Sequence, residues 1–214
     1  MIYLCFANIP DKLSPYDAAI AATSFFVGES NSAYFQNIKS RISGSAVESL
    51  YAYALLGRMI KEHFPLELQG VDPPVLKRGQ NGKPYFANSQ LKFSISHSKG
   101  FVVCALSDDC KVGIDIEAST IAPEKARKLA ARYFDPSEQE IVEQSPEKFS
   151  RMWTKKEAIS KFFGGNFADF IQKALSNELF DEISLHNFQY RSHPVTLCTT
   201  RDYGKIILLD GNEK

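Results

Sequence analysis

Two acids sit two residues apart in an otherwise apolar run, Val112-Gly113-Ile114-Asp115-Ile116-Glu117. In a strand alternate side chains share a face, so Asp115 and Glu117 point one way while Val112, Ile114 and Ile116 point the other. Carboxylates placed like this repel and raise each other's pKa unless a cation lies between them. An all-oxygen pair suits a hard divalent ion such as Mg²⁺, which takes one or two carboxylates and keeps waters or substrate phosphates as its other ligands. The same alternation is also that of a half-exposed strand with a polar outer face, the commoner use of the pattern.

A second group lies in "SPEKFSRMWTKKEAISKFFGG", residues 145–165. At helical spacing Phe149, Met152, Trp153, Ile159 and Phe163 form a core stripe, and Trp153, Glu157 and Lys161 make a row along its edge, near enough to a cleft wall to act there. Taken alone, Glu157 and Lys161 are a Glu-to-Lys pair at i and i+4 worth about 0.2–0.5 kcal/mol to the helix. Lys156 falls inside the apolar stripe, where a charge needs a partner or must snorkel. In "FSISHS" Ser96 and His97 end a strand just before a turn, where a hydroxyl and an imidazole can reach a phosphate, although a lone strand-end histidine is more often structural. Lys83 follows the turn signal Asn81-Gly82, a usual place for a solvated loop lysine.

The elements that must position these groups alternate between strand and helix. Ile2 to Ala7 reads as a strand and Pro15 to Phe26 as a helix. A longer helix starts at Ser45, where Ser45 and Glu48 fit a capping box, places Val47, Leu50, Tyr51, Ala54 and Met59 on one face, and stops at Pro65. The segments "LKFSISHS", "FVVCALS" and "VGIDIE" read as an antiparallel meander with turns at Ser98-Lys99-Gly100 and Asp108-Asp109. "SEQEIVEQ" is a short helix, and Ser145-Pro146 opens the longer one that ends near Gly164-Gly165. "EISLHNFQYRS", "VTLCTTRDY" and "KIILLD" read as strands. Element order is similar in two halves of about a hundred residues, joined between Ser107 and Lys111, with no residue-level repeat.

The chain has 214 residues, 44% of them hydrophobic, and 25 basic against 25 acidic side chains. That balance fits a globular protein and excludes electrostatic wrapping of nucleic acid or of an anionic membrane; a basic site must be local. Cys5, Cys104, Cys110 and Cys198 form no C-x-x-C pair and have no histidine at ligand spacing, so reduced thiols are expected. "MIYLCFANIPDKL" lacks a basic leader and a long apolar core, and no run reaches the roughly 18 apolar residues of a membrane span. A cytoplasmic protein is expected.

In this order "GKPYF", "FSISHS", "VGIDIE" and "WTKKEAISK", spanning Gly82 to Lys161, resemble the successive motifs of the 4′-phosphopantetheinyl transferase superfamily, particularly its long, pseudo-dimeric, surfactin-synthetase-activator type. The resemblance implies an α+β fold, α/β sandwich-like, with two similar subdomains (residues 1–107 and 108–214) in a pseudo-twofold arrangement. Each would be a small antiparallel sheet packed with helices, with the active site in the cleft between them. It implies transfer of the phosphopantetheine arm of coenzyme A to a serine of an acyl or peptidyl carrier protein, with release of adenosine 3′,5′-bisphosphate. Asp115, Glu117 and Glu157 would bind Mg²⁺; Lys83, Ser96 and His97 would lie near the coenzyme A phosphates; Lys161 would lie near the pyrophosphate and stabilise or protonate the leaving phosphate. Glu157, coming from a different element than the other two acids, would take the serine proton directly or through a water on the metal. A single chain would suffice, with no nucleic acid or membrane as partner.

Two features depart from the family pattern. Glu48 stands where long-type members carry an arginine for the 3′-phosphate, with Lys39 and Arg41 nearby, and "FFGGNFADF" replaces a glycine-rich segment after Lys161. Two other readings stand beside the transferase: a weakly catalytic module that binds coenzyme A or a carrier protein, and a Mg²⁺-dependent hydrolase of a nucleotide diphosphate.

Overall fold

A computed structural model describes residues 1–39, 44–68 and 73–212. The first strand, β1 (Ile2–Asn8), is buried along most of its length. Its alternation serves two cores: Tyr3, Cys5 and Ala7 face helices, while Ile2, Leu4 and Phe6 face a second sheet. Three helices follow, α1 (Pro15–Phe25), α2 (Glu29–Lys39) and α3 (Gly44–His63). Ser14 caps α1 by accepting from the Asp17 amide, with Pro15 in the first turn. In α3 the side chains of Leu50, Ala52, Tyr53, Leu56, Met59 and Ile60 are all buried, because α1 covers one side and the sheet another. Gly57 permits this approach, since a Cβ there would fall 2.4 Å from the Phe25 ring.

After a 3₁₀ turn at Pro65–Leu68 come the short hairpin β2 (Leu76–Arg78) and β3 (Pro84–Phe86), then β4 (Lys92–Ser98) and β5 (Phe101–Ser107). The β4–β5 turn is Lys99-Gly100, with φ of 51° and 82°, the two positive values that a two-residue hairpin loop favours. Next are β6 (Val112–Ile116), α4 (Pro123–Tyr133), α5 (Pro136–Gln144), a 3₁₀ turn at Pro146–Lys148, α6 (Phe149–Phe163), α7 (Ala168–Ile171), a 3₁₀ turn at Glu178–Phe180, β7 (Ile183–Tyr190), β8 (His193–Thr200) and β9 (Ile206–Asp210).

The larger sheet has the order β4-β5-β1-β9 and the second β6-β8-β7. They meet through Val103 and Ala105 on one side and Val112, Ile114, Ile116, Val195 and Leu197 on the other. Helices α1 to α3 cover the outer face of the first sheet, and α6 covers that of the second. This is an α+β fold of small sheets packed with helices. β9 pairs parallel with β1, so the end of the chain completes the first sheet. Among the described residues no helix is long and apolar enough to cross a membrane.

Four details differ from expectation. β6 does not continue the meander; it pairs with β8, because side chains of β4 already occupy its other edge. Ser45 lies inside the first turn of α3, and the Glu48 carboxylate is bound elsewhere rather than in a capping box. Ser145 provides no side-chain cap, and a 3₁₀ turn precedes α6. Phe163 is 39% exposed, its place in the core taken by Phe162, which lies over the strand at Gly113.

Candidate functional site

The outer edge of β6 is closed by side chains. Ser94, Ser96 and Ser98, alternate residues of β4, accept from the amides of Ile114 (3.0 Å), Ile116 (3.4 Å) and Ala118 (3.1 Å). Lys83 Nζ donates to the Val112 carbonyl on the same edge at 3.0 Å. A strand edge that would otherwise leave buried polar groups unpaired is thereby satisfied, and "GKPYF" and "FSISHS" are fixed to "VGIDIE".

The face of β6 turned away from the inter-sheet core carries Gly113 and Asp115. A Cβ at Gly113 would fall 2.1 Å from the Ala158 carbonyl oxygen and 2.4 Å from the Phe162 nitrogen, so α6 lies directly on the strand. This contact brings α6 side chains to the acids. Lys161 Nζ is 2.7 Å from Asp115 Oδ1 and 2.9 Å from Ser96 Oγ, and Ser96 donates to the same Oδ1 at 2.7 Å. Counting the Ile116 amide, the Ser96 hydroxyl donates once and accepts twice, its full capacity. Glu117 Oε1 accepts from Ser98 Oγ at 3.1 Å and from the Ser119 amide at 2.7 Å.

Burial pushes Asp115 up from the ordinary aspartate range against the pull of Lys161 and Ser96. Glu157 is pushed up to about 7 by burial, with Asp115 and Glu117 adding to the rise and Lys161 opposing it. It makes no hydrogen bond or ion pair among the described residues, and a carboxylate perturbed by burial and by neighbouring charges is a mark of a functional site. Among the described residues no three histidine, cysteine or acidic side chains stand together as a metal-ligand group: Asp115 is drawn to Lys161 and Glu117 to Ser98.

Beside these groups runs a cleft of about 380 Å³, lined by Lys83, Ser94, Lys161, Gly164 and Asn166 among others. Lys83 is brought down to about 8 by burial, with Lys111 and Lys161 repelling its charge. Asp115, Ser96, Lys161 and Lys83 thus converge. His97, the next residue on β4, faces the other way: Nδ1 is 2.9 Å from Glu48 Oε2 and Nε2 is 3.0 Å from Ser49 Oγ. Glu48 Oε1 also accepts from the Gly100 amide at 2.8 Å, which ties α3 to the β4–β5 turn. Burial lowers the His97 pKa against the pull of Glu48. Arg41 lies outside the described residues.

The buried Lys156 has a partner that the sequence reading did not identify. Its Nζ is 2.7 Å from Glu138 Oε2, with side chains 1% and 5% exposed, and it also donates to the Lys173 carbonyl at 2.6 Å. Glu138 Oε1 accepts from the Leu175 amide at 2.8 Å, so the pair fastens α5 and the segment after α7 to α6. An acid in the first turn of a short helix was the available signal, but nothing in the spacing linked it to Lys156.

A family model described as the 4′-phosphopantetheinyl transferase superfamily matches residues 111–204, a range that includes Asp115, Glu117, Glu157 and Lys161. The 4′-phosphopantetheinyl transferase AcpT of Salmonella typhi is 35% identical over 133 residues, 59% of this chain and 67% of that protein. AcpT of Escherichia coli K12 is 33% identical over 152 residues, 68% and 73% of the two chains. The 4′-phosphopantetheinyl transferase HetI of a Nostoc species is 36% identical over 110 residues, 46% of each.

Proposed function

The chain belongs to the 4′-phosphopantetheinyl transferase superfamily, and from that premise we propose that it transfers the phosphopantetheine arm of coenzyme A to a serine of an apo acyl or peptidyl carrier protein, releasing adenosine 3′,5′-bisphosphate. The observation that carries this reading is the contact of α6 with β6, which sets Glu157 and Lys161 against Asp115 beside the cleft that holds Lys83.

In this reaction the serine Oγ bonds to the phosphorus on the pantetheine side, the bond from that phosphorus to the bridging oxygen breaks, and the serine proton must leave. Negative charge gathers on the phosphate oxygens and the departing bisphosphate, so positioning and cations do most of the catalysis. Lys83 and Lys161 supply two such cations at one cleft. Glu157, with no other partner, takes the serine proton directly or through a water. Ser96 holds Asp115 and Lys161 in register.

The donor set also fits a divalent cation. Asp115 and Glu157 are pushed upward by burial, Asp115 also by Glu117 and Glu157 by both Asp115 and Glu117, negative charge that a hard ion offsets. Asp115, Glu117 and Glu157 would hold Mg²⁺, which when bound neutralises charge on the diphosphate. In this reading residues 1–107 and 108–214 are the two halves flanking the cleft, with β9 returning to the first sheet, and the protein works as a single chain.

The test is to mix the protein with coenzyme A, Mg²⁺ and an apo carrier protein. A carrier mass gain of one phosphopantetheine is expected. Nucleotide cleavage without carrier would identify a hydrolase, and binding without turnover a module; either would sink the reading. Glu157→Gln should bind coenzyme A yet turn over poorly, and full turnover would remove Glu157 from the base role.

A further inference from the structure

His97 is one strand residue, about 3.3 Å of rise, from Ser96, whose Oγ touches Lys161 Nζ at 2.9 Å. Coenzyme A brings three phosphates to this neighbourhood. Two form the diphosphate that Lys83 and Lys161 can hold; the third is a monoester on the ribose 3′ oxygen, with a charge of about −1.5 to −2 at neutral pH. The family resemblance implies that His97 lies near these phosphates, yet its ring is given to α3. Nδ1 is 2.9 Å from Glu48 Oε2, and Nε2 is 3.0 Å from Ser49 Oγ.

Facing a carboxylate, Nδ1 carries a proton and donates it. With the ring neutral, Nε2 is an acceptor and offers a phosphate nothing; with the ring protonated, its charge already faces Glu48. The carboxylate is fixed too. Its other oxygen accepts from the Gly100 amide at 2.8 Å, and turning it away would leave that amide unpaired. Among the described residues no lysine or arginine forms an ion pair with Glu48. The side chains of Glu48 and His97 are 20% and 24% exposed, so an anion arriving here meets the carboxylate. A like charge set against one ligand discriminates against it.

We propose that Glu48 closes the His97 position to phosphate and so sets the donor specificity: the ribose 3′-phosphate adds little to recognition, and 3′-dephospho-coenzyme A serves as a donor beside coenzyme A. The bond made, serine Oγ to phosphorus, and the bond broken, phosphorus to bridging oxygen, are the same for both donors, and the serine proton leaves by the same route. Only the leaving nucleotide differs, adenosine 5′-monophosphate in place of the bisphosphate. The inference rests on the transferase reading above.

The experiment uses the full chain, Mg²⁺, an apo acyl carrier protein and an excised apo peptidyl carrier domain, with coenzyme A and 3′-dephospho-coenzyme A as alternative donors. In the wild type kcat/KM for the dephospho donor should lie no more than about ten-fold below that for coenzyme A; a larger preference for coenzyme A overturns the proposal. Glu48→Gln keeps an acceptor for the Gly100 amide and removes the charge. It should shift the donor ratio about ten-fold towards coenzyme A, in kcat/KM and in calorimetric dissociation constants alike. A merely structural role for Glu48 would move both donors together, and an unchanged ratio overturns the proposal. Should Glu48→Gln fail to fold, the double variant Glu48→Leu with His97→Leu, which removes both partners of the pair, decides by the same ratio. A wild-type protein that modifies neither carrier with either donor overturns the transferase reading, and the calorimetric ratios then decide the inference by themselves; binding of neither donor overturns both.

Discussion

Lys161 Nζ lies 2.7 Å from Asp115 Oδ1, and this contact joins α6 to the strand that carries the acid pair. The Asp115 side chain is 8% exposed and that of Lys161 27%, so the ammonium is the cation that makes a buried carboxylate tolerable.

Lys161→Ala should therefore destabilise the protein by about 2 kcal/mol, below the 3–5 kcal/mol typical of a broken, fully buried pair, because Lys161 is partly solvated. Mg²⁺ should restore part of the loss by supplying a cation to the same carboxylate. Thermal melts with and without Mg²⁺ check this: the variant should gain more than the wild type, and Asp115→Asn should gain nothing. Equal gains in all three would place the ion elsewhere.

The serine ladder predicts a stability effect separable from chemistry. Ser94→Ala leaves the fully buried Ile114 amide without its acceptor, at a cost of about 1–3 kcal/mol. Ser94 binds neither acid, so Mg²⁺ binding in calorimetry should hold while the urea midpoint falls. Ser98→Ala should lose similar stability and also free Glu117 Oε1 from one of its two partners, weakening Mg²⁺ binding in calorimetry. A Ser94→Ala variant with a wild-type midpoint would mean that water replaces the hydroxyl.

Lys156 and Glu138 form a pair shielded on both sides. Lys156→Met alone should cost about 3–5 kcal/mol, because it strands a buried carboxylate, whereas adding Glu138→Leu should recover most of that loss. Urea unfolding of the two singles and the double gives the coupling directly. Additive losses would show that Lys156 acts chiefly through the Lys173 carbonyl.

Short-range periodicity made much of this architecture legible. The two-residue alternation of "VGIDIE" correctly separates core isoleucines from acids, and helical spacing places Glu157 and Lys161 on one row. The position of Lys156 inside the apolar stripe announces its need for a partner. What escaped depends on contacts distant in sequence. The strand β6 leaves the meander because serine hydroxyls twenty residues earlier take over hydrogen bonds a neighbouring strand would supply. Nor does the spacing of Ser96 and His97 announce their separate partners: adjacent strand residues face apart, and His97 meets Glu48 and Ser49. Helix α2 carries mixed polar residues, whereas α4, "PEKARKLAARY", has Ala126, Leu129, Ala130 and Tyr133 at helical spacing on its packed face, a pattern the sequence does show.

Lys83 provides a pH signature. Its folded-state pKa of about 8 lies below the ordinary 10.5, chiefly through burial. Below about pH 8 it carries its charge in the folded protein; as pH rises through that value it becomes neutral, while the unfolded chain keeps the proton until about 10.5. Between these values the unfolded state binds more protons, so this group's contribution to stability rises with pH. Phosphate binding needs the ammonium, so affinity for coenzyme A should fall over the same interval. Affinity and this stability contribution thus move in opposite directions, which general alkaline unfolding does not produce. Calorimetric titration with coenzyme A from about pH 6.5 to about pH 9.5, with urea midpoints across the same range, tests the pair of trends. Lys83→Met should bind weakly at neutral pH and lose the inflection near 8 in both measurements. If the variant keeps the wild-type affinity profile, the charge of Lys83 is spent on the Val112 carbonyl alone, and the phosphates lie beyond its reach.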